Sequence, residues 1–237
     1  MSDGLDTRTG ILIGEEGVEM LRSASVIVCG CGAVGGYSIE GLVRAGVGRM
    51  RVVDGDVFSG SNLNRQVLAT TETIGRPKAQ VACERARSIN PDIDIECMEC
   101  LVSEETLPMI FDGDFDILVD AIDTVGHKAE LLRYACSKGI RTFSSMGAAL
   151  HMDTQKVRVA PIMKTHTCPL AANLRKRLRD CDTSRLTAVF SEEPPLVVPK
   201  DRDDHGKSVL GSLPTVPAVF GMTLANLAIM SIVGRIQ

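Results

Sequence analysis

The run Gly30-Cys31-Gly32-Ala33-Val34-Gly35 lies between two segments of different period. Before it, Ser25-Val26-Ile27-Val28-Cys29 is a short, β-branched apolar stretch that reads as a buried parallel strand. After it, Ile39, Leu42 and Val43 group at helical spacing, which predicts a helix from Val34 to Ala45. A strand passing through G-x-G-x-x-G into a helix is the context in which that pattern carries meaning. The glycines let the backbone approach phosphates, and a helix N-terminus favours negative charge. Asp54 closes the next apolar run, Met50–Val53, where a carboxylate can accept hydrogen bonds from both ribose hydroxyls.

The alternation continues downstream. A helix is predicted from Pro77 to Ile89, with Pro77 at its first turn and Asn90-Pro91 ending it. Ile93, Ile95 and Cys97 alternate with Asp94 and Glu96, as in a half-exposed strand. Ile117–Ile122 reads as a third buried strand, Val125–Cys136 as a helix, Ile140–Ser144 as a strand, and Val157 and Val159 as part of one more. Together these predict an α/β chain with a Rossmann-like, doubly wound, mostly parallel sheet and helices on both faces. Residues 1–160 are expected to form the nucleotide-binding unit, and 161–237 an extension packed on the same domain. Within that extension, 191–217 is rich in Pro, Gly and charge and reads as a long loop. Ala218–Val233 is apolar but contains Asn226, and reads as a buried core helix.

Composition narrows the function classes. The net charge of −4 gives no global positive field for nucleic acid or membranes. With no Trp, two Tyr and six Phe, a base-stacking single-strand binder is disfavoured. No basic segment followed by an apolar run opens the chain, so no signal peptide is read and a cytoplasmic location is expected. The eight Cys are then expected to be reduced. Cys29, Cys31, Cys83 and Cys136 sit in apolar runs and read as small core residues. Cys97-x-x-Cys100 has no second pair, Cys168 and Cys181 are far apart, and His127, His151, His166 and His205 lack metal-ligand spacing, so no zinc is expected.

The glycine pattern alone does not choose between NAD, FAD and ATP. The polar stretch after Asp54 does. A triphosphate with Mg²⁺ needs cations against its β and γ charge and a carboxylate for the metal. Arg65, Lys78 and Asp123 supply those types, and Asp123 follows a strand end where such sheets bind ligands. An NAD-dependent oxidoreductase would not need the two cations.

Gly30-x-Gly32-x-x-Gly35, Asp54-x-Asp56, Ser61-Asn62-Leu63-Asn64-Arg65-Gln66, Gly75-Arg76-Pro77-Lys78 and Asp120-Ala121-Ile122-Asp123 resemble the ThiF/MoeB/ubiquitin-activating-enzyme superfamily across residues 8–160. The resemblance implies that Gly30, Gly32, Gly35, Asp54, Asp56, Asn62, Arg65, Gln66 and Lys78 bind ATP. It makes Asp123 the Mg²⁺ ligand, and Arg65, Lys78 and Asp123 the residues that drive attack of a carboxylate on the α-phosphate. It also implies a homodimer in which Arg8 reaches the partner's ATP. A nearer resemblance is to the tRNA threonylcarbamoyladenosine dehydratases. It is carried by Arg8-Thr9, Leu12-Ile13-Gly14-Glu15, Ser145-Met146-Gly147-Ala148, Lys164-Thr165, Pro169-Leu170-Ala171 and Ser191-Glu192-Glu193-Pro194-Pro195. Leu5, Asp6 and Cys168 depart from it, standing where Arg, Phe and Asp are expected.

That branch uses ATP to close the threonylcarbamoyl side chain of a tRNA adenosine into a ring, by activating its carboxylate. The alternative within the superfamily is an adenylyltransferase that activates the C-terminal Gly of a ubiquitin-like sulfur carrier. Its zinc-binding C-x-x-C pairs are missing here, and Cys168 is the one candidate for a carrier-accepting nucleophile. A monovalent cation and a sulfur-transfer protein are further candidate partners. Arg175, Lys176, Arg177 and Arg179 concentrate positive charge on one predicted helix and are the candidate tRNA contacts.

Overall fold

The computed structural model describes residues 4–197, 202 and 210–236. In chain order its elements are α1 (Thr7–Ser23), β1 (Ser25–Cys29), α2 (Gly35–Ala45), β2 (Arg49–Val53), α3 (Lys78–Ile89), β3 (Asp94–Met98) and α4 (Leu107–Ile110). There follow β4 (Ile117–Asp120), α5 (Val125–Lys138), β5 (Arg141–Ser145), β6 (Val157–Pro161), α6 (Pro169–Arg177), β7 (Leu186–Ser191) and α7 (Thr215–Ile232).

The apolar runs make the centre of one seven-stranded sheet, in the order β3-β2-β1-β4-β5-β7-β6. Every pairing is parallel except that of β6 with β7. β1 and β4 are buried along their whole length, as continuous apolar strands covered on both faces must be. β3 lies at the edge and keeps Asp94 and Glu96 exposed while Ile95 is buried, which accounts for its alternation. One face of the sheet packs mainly on α2, α3 and α7, the other on α4 and α5, with a third apolar cluster under α6.

Strand order reverses between β1 and β4. The chain builds outward through β2 and β3, then returns to the other side of β1. The registers Cys29↔Val53 and Cys29↔Asp120 bring the carboxyl ends of β1, β2 and β4 to one edge. Open α/β sheets bind ligands in the crevice at such a reversal.

Two elements lack a clear sequence signal. α1 carries Ile11 and Leu12 exposed, and Gly14 breaks the helix at φ 78°, so its apolar residues fall on no single stripe. β7 is recruited by long-range pairing between β5 and β6, out of chain order. The loop read as 191–217 is shorter at both ends. Ser191 completes β7, and Thr215–Pro217 form the first turn of α7, where proline's missing N–H costs nothing.

α7 is long and apolar enough to cross a membrane by length and composition. In this fold Val216, Phe220, Leu224, Ala225 and Ala228 bury one face of it. It crosses α2 closely: Ser38 Oγ donates to Gly221 O at 3.0 Å, and a Cβ on Gly41 would lie 2.8 Å from that of Ala225.

Candidate functional site

The crevice is built from the backbone first. At Gly30 the chain turns with φ 94°, and a Cβ there would sit 2.8 Å from Ala121 O. A Cβ on Gly35 would lie 1.7 Å from Gly30 O. Only glycine permits this tight return, which aims the first amides of α2 at the carboxyl ends of β1 and β4.

Asp54 anchors the loop from the side. Its Oδ2 accepts from Cys31 N at 2.7 Å and its Oδ1 from Asp56 N at 2.8 Å. Burial pushes this carboxyl above its ordinary value, against the pull of Lys78 and the two amides. Each oxygen keeps a lone pair that can accept from a ribose hydroxyl. Lys78 opens α3, its stem buried, and its Nζ lies 2.9 Å from Asp56 Oδ2. The same turn is tied by Lys78 N donating to Asp56 O at 2.9 Å.

The segment between them forms a compact polar turn. Ser59 N donates to the Oδ1 of buried Asn62 at 3.0 Å. Arg65 is half-buried, and its Nη1 reaches Ser61 O and Asn64 Oδ1. It enters no ion pair among the described residues. Gln66 is buried beside the glycine loop, with Nε2 3.8 Å from where a Cβ of Gly32 would be, and its Oε1 has no hydrogen-bond partner among the described residues. A buried unpaired amide oxygen is costly, and this one lies 4.0 Å from where a Cβ of Gly32 would be.

Asp123 is exposed just past the end of β4, where Thr124 Oγ1 donates to its Oδ1 at 3.2 Å. No cluster of three or more His, Cys, Asp and Glu is arranged for a metal among the described residues. A single carboxylate suits Mg²⁺ that is shared with substrate phosphates.

Hydrogen bonds and an ion pair thus join the glycine loop, Asp54, Asp56 and Lys78 into one unit, with Gln66 beside it. Arg8 is exposed on α1, and among the described residues no hydrogen bond or ion pair joins it to that unit. Of the basic residues on α6, Arg175 is half-buried and donates to Thr165 Oγ1, and Arg177 holds Asn173 Oδ1. Lys176, Arg177 and Arg179 are exposed. Cys168 is buried in the cluster under α6, against Gly147, as a core residue. All eight cysteines are free thiols, and burial pushes Cys29 and Cys31 well above the ordinary range. His205 lies outside the described residues.

Sequence reasoning missed Lys128. It is fully buried and ion-paired with Asp120 at 2.7 Å. Its signal was its phase: Lys128 stands on the same stripe of α5 as the buried Leu131, Leu132 and Ala135.

The family model described as ThiF family matches residues 7–237. A tRNA threonylcarbamoyladenosine dehydratase of Bacillus subtilis is 34% identical over 242 residues, 98% of this chain and 95% of that protein. The crystal structure of an E. coli tRNA N6-threonylcarbamoyladenosine dehydratase, TcdA, in complex with ATP superposes with a TM-score of 0.87. It is 28% identical and covers 96% of this chain and 93% of that one. A sulfur carrier protein adenylyltransferase of Thermus thermophilus is 46% identical, but over 112 residues, 47% of this chain and 41% of that protein.

Proposed function

Because the chain belongs to the ThiF family, we propose from its nearer relatives that it is an ATP-dependent tRNA threonylcarbamoyladenosine dehydratase. One observation carries the choice within the family. Similarity to a dehydratase runs through 98% of the chain, including α6, β7 and α7, whereas similarity to the sulfur-carrier adenylyltransferase stops at 47%.

The chemistry follows from the site. ATP lies with its phosphates on the amides after Gly30 and its ribose on Asp54. Lys78 and Arg65 offset the charge that grows on the phosphates as the threonine carboxylate attacks the α-phosphorus and pyrophosphate departs. A nucleophilic atom of the same threonylcarbamoyl group then attacks the activated carbonyl carbon, gives up its proton and expels AMP, which carries away the former carboxylate oxygen. The net change is loss of one water from the nucleoside. Mg²⁺ held by Asp123 and the phosphates would supply further charge neutralisation. The test incubates the protein with ATP and tRNA bearing threonylcarbamoyladenosine, then digests and weighs the nucleosides. Wild type should give the dehydrated nucleoside, and Asp123→Ala should give none while remaining folded. An unchanged nucleoside with wild type, together with acyl-adenylate on a Gly-Gly-ended carrier, would reverse the choice.

The tRNA contact is assigned to Arg175, Lys176, Arg177 and Arg179. An anionic protein must concentrate its cations to hold a polyanion, and three of these four are exposed. Reversing Lys176, Arg177 and Arg179 should flatten the dependence of tRNA affinity on salt by about one log–log slope unit per lost contact. ATP affinity should stay at its wild-type value. Equal slopes would move the tRNA elsewhere.

A homodimer is the assembly we assign. Arg8 shares α1 with Ile11 and Leu12, which are 74% and 83% exposed and offer apolar surface to a second copy of the chain.

A further inference from the structure

Under the crevice lies a buried ion pair to which none of these roles is assigned. Asp120 and Lys128 are both fully buried. Asp120 Oδ2 accepts from Lys128 Nζ at 2.7 Å and from Ser144 Oγ at 2.6 Å. Pairs of this kind are poor sources of stability, because desolvating two charges offsets their attraction, and apolar replacements of similar volume are often as stable. The contacts they make with the backbone are therefore the informative ones.

Those contacts converge on one residue. Ile122 N donates to Asp120 Oδ1 at 3.1 Å, and Lys128 Nζ donates to Ile122 O at 2.9 Å. Both backbone polar groups of Ile122 are thereby held by the two ends of the pair. The preceding residue is fixed as well: Ala121 N donates to Cys29 O at 2.8 Å, and Ala121 O is the atom a Cβ on Gly30 would strike. Asp123 is the next residue along. It is exposed, and its backbone emerges from this clamp.

We propose that the Asp120–Lys128 pair, steadied by Ser144, is a positioning device that clamps Ile122 and so fixes Asp123 for Mg²⁺-dependent ATP binding. The proposal rests on the ATP site assigned above. Lys128 and Asp120 do not touch the nucleotide; they act through the backbone. Groups that orient a metal ligand are commonly worth 10–100-fold in affinity or activity.

The experiment uses the whole chain with two variants. Asp120→Asn/Lys128→Met keeps the volume and removes both charges, so no ion is left buried without its partner. Ser144→Ala is the milder change, removing one hydrogen bond to Asp120. Three quantities are read: the unfolding midpoint, amide exchange at Ala121 and Ile122, and ATP affinity by calorimetry with and without Mg²⁺. The double variant is expected to fold with a near wild-type midpoint, to exchange faster at those two amides, and to lose roughly 10-fold or more of its affinity for ATP with Mg²⁺. Its affinity without Mg²⁺ should change far less. Ser144→Ala should shift the same quantities in the same direction by less. In an Asp123→Ala background neither change should alter the Mg²⁺ dependence further, since two changes acting through one group are not additive.

Wild-type Mg²⁺ dependence in a folded double variant would overturn the proposal, as would equal losses with and without Mg²⁺. If the double variant does not fold, Ser144→Ala decides by the same criteria. Failure of the wild type to bind ATP would instead strike the proposed function, and amide exchange would still report whether the pair clamps Ile122.

Discussion

Gly35→Ala should abolish ATP binding and destabilise the fold. The added Cβ would lie 1.7 Å from Gly30 O and 3.3 Å from the Ala121 side chain. The first obstacle is backbone, so no side-chain rotation relieves it, and the loop must move away from the strand ends. Overpacking typically costs about 1–3 kcal/mol, and a clash with fixed backbone belongs at or above the upper end. Gly126→Ala is the opposite case. Nothing lies within 4 Å of its would-be Cβ, and the residue sits in α5. It should stabilise by roughly 0.4–1 kcal/mol by reducing the freedom of the unfolded chain. Calorimetric titration with ATP and denaturant unfolding of both variants check this. A Gly35→Ala protein that binds ATP normally would remove the glycine loop from the site.

Lys78→Ala should lower turnover roughly 10²–10³-fold, the scale of losing one preorganised charge-stabilising group. Its cost in stability should be small. The partner carboxylate of Asp56 is largely exposed and regains water when the ammonium is removed, so little of the pair's attraction is lost to folding. The two effects separate a phosphate contact from a surface ion pair: the first lowers rate and spares stability, the second leaves rate within a factor of about three. The same variant tests the dimer. Arg8→Ala should also be slow on its own, because it removes the group assigned to the partner's ATP. Mixed and allowed to exchange, the two slow chains form heterodimers with one intact site, and about a quarter of wild-type activity should return. Activity that stays at the level of the separate variants would place Arg8 outside the partner's site.

Much of the site was legible because its residues act through the backbone near their own place in the chain. The glycine pattern between a β-branched run and a helical one specified a strand, a tight turn and an anion-seeking helix end, and β1, Gly30–Gly35 and α2 form that unit. Asp54 was readable as the end of the second buried run, and its two amide contacts fall on residues 31 and 56, close by in the sheet and in the turn. β3 was readable as a half-exposed strand from the alternation of Ile95 with Asp94 and Glu96, and the sheet order places it at the edge.

Other features depended on partners far away in sequence. β7 follows α6 in the chain but becomes a strand by lying between β5 and β6, parallel to the first and antiparallel to the second. α1 hides its period because Ile11 and Leu12 stand exposed in this fold and Gly14 interrupts its phase. Lys128 looked like one more helical cation. Its meaning appeared only when β4, β5 and α5 closed around it and brought Asp120, Ser144 and the Ile122 carbonyl to one buried point. The sequence alone determined the parallel α/β class, the glycine loop and the residue types offered to a nucleotide, because those rest on local period and backbone sterics. Tertiary structure decided which strands are neighbours, which helix faces are covered and which charges are buried together, because each is set by contacts between residues distant in the chain.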